Sequence, residues 1–243
     1  MSGARVQAPY GSWKSPISAS MIADTTISLD GVFVDNGQIY WLERRPSEGG
    51  RVVLVGDVEG SHTDITPEGY SVRTQAHEYG GGALHIHDGT IYFVNAQDQH
   101  IYRHKVDEPP QVLTGSADAR FADMIVDVSR ARLICARERH GAAETANALI
   151  AIGLSDGAVT ELDSSHDFIS NPRISPDGTR LAWLSWDLPD MPWDGATLWV
   201  ADLAADGKLG EVLKVAGGAG EAAFQPEWRP DGSLVFALDR TGW

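Results

Sequence analysis

The sequence holds one cysteine, few basic residues and no long apolar run, and each shortage removes a class of protein. With Cys135 alone, neither an intrachain disulfide framework nor a thiolate metal cluster can form. Cys135 sits in the apolar run Leu133-Ile134-Cys135-Ala136 and reads as a small buried hydrophobe in a chain compatible with a reducing compartment. Lysine and arginine total 19 against 34 aspartates and glutamates, a formal net charge of −15. That balance disfavours nucleic acid and anionic membrane, both of which need basic patches, so neither is expected as a partner. No segment approaches the roughly 18 apolar residues of a membrane-spanning helix. The stretch from Met1 to Trp13 is polar and lacks the apolar core of a signal peptide, so a cytoplasmic location is expected.

Helical signals are also scarce. The segment 142–148 is the best candidate for a helical turn, but it lies between strand signals and reads as a loop. No Gly-x-Ser-x-Gly elbow occurs, and the order of Ser, Asp and His assembles no triad, so no catalytic residue is assigned.

What is present is repetition. A turn followed by a short β-rich run occurs five times, at Asn36-Gly37, Asp88-Gly89, Ser129-Arg130-Ala131, Asp177-Gly178 and Asp231-Gly232. The anchors Ile39, Ile91, Leu133, Leu181 and Leu234 stand 52, 42, 48 and 53 residues apart. Periods of this size, built from short strands, predict an all-β fold, a β-propeller of four-stranded blades. Asp-Gly and Asn-Gly supply the positive-φ positions of two-residue hairpins. After an N-terminal arm over 1–26, blades are expected at 27–75, 76–120, 121–165 and 166–219, with part of a fifth at 220–243. An unfinished blade leaves unpaired strand edges, which reads as a fragment of a longer chain.

Three stretches could carry chemistry. The first, from Arg73 to Ala83, holds Arg73, His77, Glu78 and Tyr79 ahead of three glycines that permit close backbone approach. It reads as a Gly-rich entry to an inner strand, with a ligand-binding role as the alternative. The glycines form no phosphate cradle, since the Gly-Lys-Ser/Thr ending is missing. The second, from Trp183 to Gly195, reads as a long loop whose Trp and Pro rings pack on their own blade. The spacing of Asp187, Asp190 and Asp194 in it matches no calcium loop. The third is the pair His85 and His87, which share one strand face and read as solvated or channel-facing, with no third ligand in evidence. No metal or cofactor is expected.

Taken together, several segments resemble the N-terminal propeller of the prolyl oligopeptidase family of serine peptidases, in its acylaminoacyl-peptidase and dipeptidyl aminopeptidase-like branch. They are 9–17, 41–51, His77-Glu78-Tyr79-Gly80-Gly81-Gly82, 171–178, 186–195, 226–232 and 239–243. Ser-Pro-Asp-Gly is shared with TolB-like propellers; the combination is more specific. The resemblance implies a C-terminal α/β-hydrolase domain outside this chain that holds the triad, and hydrolysis of short peptides by an acyl-enzyme route. The propeller would gate access, with Arg73, His77, Glu78 and Tyr79 nearest to binding a peptide terminus. A stand-alone TolB-like binding scaffold and a metal-dependent lactonase-type propeller are the competing readings. Association into a homo-oligomer stays open.

Overall fold

Asn36-Gly37 and Asp88-Gly89 adopt left-handed φ at both positions, 49° and 79° in the first pair and 47° and 68° in the second. That is the backbone of a tight hairpin whose twist matches its strands. Each turn folds one repeat back on itself. In the computed structural model, which describes residues 7–58, 60–141 and 145–242, the repeats become antiparallel sheets whose strand order follows the chain.

The first sheet comprises β1 (Ser28–Asp35), β2 (Gln38–Arg45), β3 (Arg51–Val58) and β4 (Ser61–Asp64). The second comprises β5 (Leu84–His87), β6 (Thr90–Val94), β7 (Ile101–His104) and β8 (Gln111–Thr114). The third runs β9 (Ala119–Asp127), β10 (Arg132–His140), β11 (Thr145–Gly153) and β12 (Val159–Asp163). The fourth runs β13 (Phe168–Ile174), β14 (Arg180–Trp186), β15 (Thr197–Leu203) and β16 (Leu209–Ala216). β17 (Ala223–Trp228) and β18 (Leu234–Leu238) pair as a two-stranded sheet. The first strands of successive sheets neighbour one another, β1 beside β5, then β9, β13 and β17, so these strands are innermost. Such sheets match the form of propeller blades.

The core lies between sheets. Leu54, Phe93, Ile101, Leu133 and Ile150 join the first three sheets, and Ile134, Leu149, Leu181 and Trp183 join the third to the fourth. Each such side chain, fully buried, contributes roughly 1.5–3 kcal/mol. Polar staples reinforce the seams. Asp35 accepts from the backbone N–H groups of Asp88 and Gly89 at 3.0 and 2.8 Å. Arg130 donates to the carbonyls of Gly178, Leu203 and Ala204. The Arg180 guanidinium lies 4.6 Å over the Trp228 ring and donates to Gly232 O.

Four details differ from the sequence reading. A short helix, α1 (Ala19–Thr25), stands in the N-terminal arm; Ser18 starts it, its Oγ accepting from Met21 N at 3.1 Å. The third sheet starts at Ala119, two residues before the boundary expected at 121. Trp183 and Trp186 are buried strand residues of β14, so the loop begins only at Asp187, and Trp193 within it is 65% exposed instead of packed. Thr145 to Ala148 belong to β11, whereas 142–144 lie outside the described residues, as do 1–6, Glu59 and Trp243. Among the described residues, no helix is long and apolar enough to cross a membrane.

Candidate functional site: a cavity at the inner strands

Four innermost strands carry the same irregularity. The pairing register slips at Asp30/Val32 in β1, opposite Ile134/Ala136 in β9, at Ser170/Arg173 in β13 and at Phe224/Glu227 in β17. At each slip one residue is left-handed: Gly31, Asp123, Asn171 and Gln225, with φ of 50°, 56°, 51° and 50°. Asp and Asn enter this region more readily than other side chains, and bulges of this kind re-aim side chains. Three of the four are an acid or an amide. Asp123 stands eight residues before Ala131, while Asn171 and Gln225 stand seven before Gly178 and Gly232. That offset is visible in the sequence and would have marked them.

Asp123, Asn171 and Gln225 line a cavity of about 850 Å³. Its rim and walls also include His77, Tyr79, the glycines 80–82, Trp186, Arg173 and Glu227. Arg173 Nε donates to Glu227 Oε1 at 2.8 Å, so these charges offset one another.

The glycines serve Asp123. Asp123 N donates to Gly82 O and Gly82 N donates to Asp123 Oδ1, both at 2.7 Å. A Cβ on Gly82 would stand 2.8 Å from Asp123 Oδ1, and one on Gly81 would stand 2.9 Å from Ala122 Cβ. Close backbone approach is thus what this triplet provides.

His77 and Tyr79 line the cavity; Arg73 and Glu78 do not. Arg73 and Glu78 are exposed, and their side chains make no hydrogen bond or ion pair among the described residues. His77 and Glu78 both adopt left-handed φ, 55° and 65°, and Gly80 follows at 92°. For the two non-glycine residues this costs about 1–3 kcal/mol each. His77 is buried, its ring edge-on to Phe168 at 5.5 Å and to Trp186 at 5.6 Å, while Phe168 and Trp186 stack with an interplanar angle of 6°. Its Nε2 is buried without a hydrogen-bond partner among the described residues. Burial raises the Tyr79 pKa, and the carboxylates of Asp123 and Glu138 raise it further.

The other stretches sort themselves by burial. His85 and His87 stack at 6.4 Å, and burial, with His87 and Arg173 nearby, lowers the His85 pKa to about 4. Among the described residues, no group of three or more His, Cys, Asp or Glu could hold a metal ion. Cys135 is fully buried, and burial pushes its thiol pKa up, which opposes a nucleophilic role. Asp187 accepts from His166 Nδ1 at 2.8 Å and from Asp167 N at 2.7 Å, so it ties its loop to the segment between β12 and β13.

No protein-family model matches the chain, and no curated protein sequence matches it. Solved structures do. TolB from Acinetobacter baumannii aligns with 85% of the chain at a TM-score of 0.55 and 13% identity, which shows the fold alone. A puromycin-hydrolyzing peptidase of Mycobacterium tuberculosis aligns with 98% of the chain, with a TM-score of 0.87 and 34% identity. A crystal structure of puromycin hydrolase aligns with 97%, with a TM-score of 0.88 and 36% identity. The chain covers 40% and 39% of those two proteins, so it is similar, over nearly its whole length, to about two fifths of each.

Proposed function

We propose that this chain is the propeller part of a serine peptidase of the prolyl oligopeptidase family that hydrolyses short peptides, with four full blades and the inner strands of a fifth within these residues. The observation that carries the reading is the 36% identity to puromycin hydrolase across 97% of the chain. At that level of likeness the resemblance of the His77–Gly82 and 171–178 segments extends to the whole sheet arrangement. In this reading the chain supplies no catalytic group. It admits or refuses substrates, and the cavity at the inner strands receives part of the peptide.

The cavity suits that role. The amide of Gln225 and the Tyr79 hydroxyl offer donors and acceptors to a peptide main chain, and their side chains make no hydrogen bond among the described residues. Phe224 and Tyr79, 55% and 60% exposed, supply apolar surface beside them. The branch of the family and a cytoplasmic location belong to the same proposal. The TolB likeness adds no support for a stand-alone scaffold, because it extends to fold alone.

The test uses the full-length natural protein. It is expected to hydrolyse puromycin or aminoacyl-nitroanilides and to label with a fluorophosphonate. A folded full-length protein that neither labels nor hydrolyses these substrates overturns the reading.

A further inference from the structure

Three side chains from outside the segment hold the backbone from Gln75 to Gly82. Gln99 Oε1 accepts from Gln75 N at 2.7 Å, Glu138 Oε2 from His77 N at 2.8 Å, and Asp123 Oδ1 from Gly82 N at 2.7 Å. Within the segment, Glu78 N donates to Gln75 O, Tyr79 N to His77 O and Gly80 N to Ala76 O. The His77 N–H has no partner in that turn; Glu138 is its acceptor. This is also where the left-handed run of His77 and Glu78 begins.

Glu138 is a buried carboxylate, 4% exposed, on β10. Its other oxygen, Oε1, lies 2.6 Å from His140 Nε2 on the same strand. The two contacts leave the carboxylate one orientation. It thereby fixes a segment entering the second sheet from a strand of the third, while the His77 ring rests on Phe168 and Trp186 of the fourth. An apolar side chain would fill the space without the carboxylate's desolvation cost but would leave the buried His77 N–H unpaired, so the acceptor here serves the turn and not the packing.

We infer that Glu138, oriented by His140, is a positioning residue for the cavity. It holds the left-handed turn at His77, and so sets where the His77 ring and Tyr79 stand relative to a peptide bound there. Glu138 itself does not line the cavity and touches no substrate. The inference rests on the reading of the cavity as a peptide site.

The experiment compares Glu138→Gln and Glu138→Leu with the unaltered full-length protein, by peptide or puromycin hydrolysis and by amide hydrogen exchange. Gln keeps an acceptor for the His77 N–H, whereas Leu keeps only the bulk. Glu138→Leu is expected to raise KM about tenfold with kcat changed less than twofold, since lost ground-state positioning appears in KM. Exchange should quicken across 75–80, and Glu138→Gln should restore both readouts to within about threefold. A folded Glu138→Leu protein with unchanged KM and unchanged exchange overturns the inference, as does Gln behaving no better than Leu. If Glu138→Leu does not fold, Glu138→Gln against His140→Ala decides: unchanged KM and exchange at 75–80 in His140→Ala overturn the orienting role. A protein that hydrolyses nothing defeats the peptide reading, and the exchange at 75–80 still judges the positioning.

Discussion

Asp123 and Gly82 are joined twice, each backbone N–H donating to the other residue at 2.7 Å, once to a carbonyl and once to a carboxylate. The second carboxylate oxygen, Asp123 Oδ2, accepts from Asn171 N at 3.1 Å. One side chain therefore ties the entry of the second sheet, the inner strand of the third and the inner strand of the fourth.

Gly82→Ala breaks that link by crowding. The added Cβ meets Asp123 Oδ1 at 2.8 Å, in a carboxylate held from two sides by Gly82 N and Asn171 N. We expect a loss of about 1–3 kcal/mol, the usual range for overpacking, read as a lower urea midpoint. Gly210→Ala in β16 is the control, since its φ also lies outside the left-handed region and an added Cβ would meet only Asp202, at an ordinary 3.5 Å. Equal losses at both positions would remove the role assigned to close approach.

Asp127 is a buried carboxylate, 1% exposed, between Arg130 and Arg132 at 3.2 and 2.9 Å. Arg130 in turn reaches three carbonyls of the fourth sheet. Asp127→Ala leaves two partly buried guanidinium groups without their counter-charge, and a loss of roughly 3 kcal/mol is expected. Chemical denaturation measures it. A loss below about 1 kcal/mol would mean that the arginines find water instead.

Ala131 occupies the turn position that glycine holds in the other repeats, with φ 46° after a single 3-10 turn at Val128–Arg130. Left-handed backbone costs an alanine about 1 kcal/mol relative to glycine. Ala131→Gly should raise stability by about 0.5–1 kcal/mol, against the entropy that glycine loses on folding. A lower thermal midpoint would show that the strain is relieved some other way.

His85 sets a pH dependence. Its folded pKa of about 4 lies below the ordinary 6.5, chiefly because of burial. The unfolded chain therefore takes up this proton first as pH falls. Its contribution to stability is complete above about pH 6.5 and is lost progressively toward about pH 4. In His85→Gln that part of the acid dependence should vanish, and stability measured from pH 7 to 4 should slope less than in the unaltered protein. Identical slopes would assign the acid sensitivity to other groups.

The local rules were open to reading in the chain. Asn36-Gly37 and Asp88-Gly89 make the hairpins that their φ preferences dictate, and the anchor strands carrying Ile91, Leu133 and Leu181 are buried as their apolar runs require. His77 and Tyr79 were picked out by residue type beside glycines, and both line the cavity. The same reasoning picks out Arg73 and Glu78, and both are exposed and do not line it. His77 and Glu78 are both left-handed, yet only His77 lines the cavity, a division that adjacency in sequence cannot reveal.

Sequence by itself determined the repeated sheets, because turn chemistry and strand periodicity act over a few neighbouring residues. Tertiary structure decided the site. Gly82 and Asp123 are 41 residues apart, and His77 and Glu138 are 61 apart. Such pairs meet only when the inner strands of successive sheets stand side by side. A buried carboxylate then finds a backbone N–H that its neighbours in the chain leave unpaired.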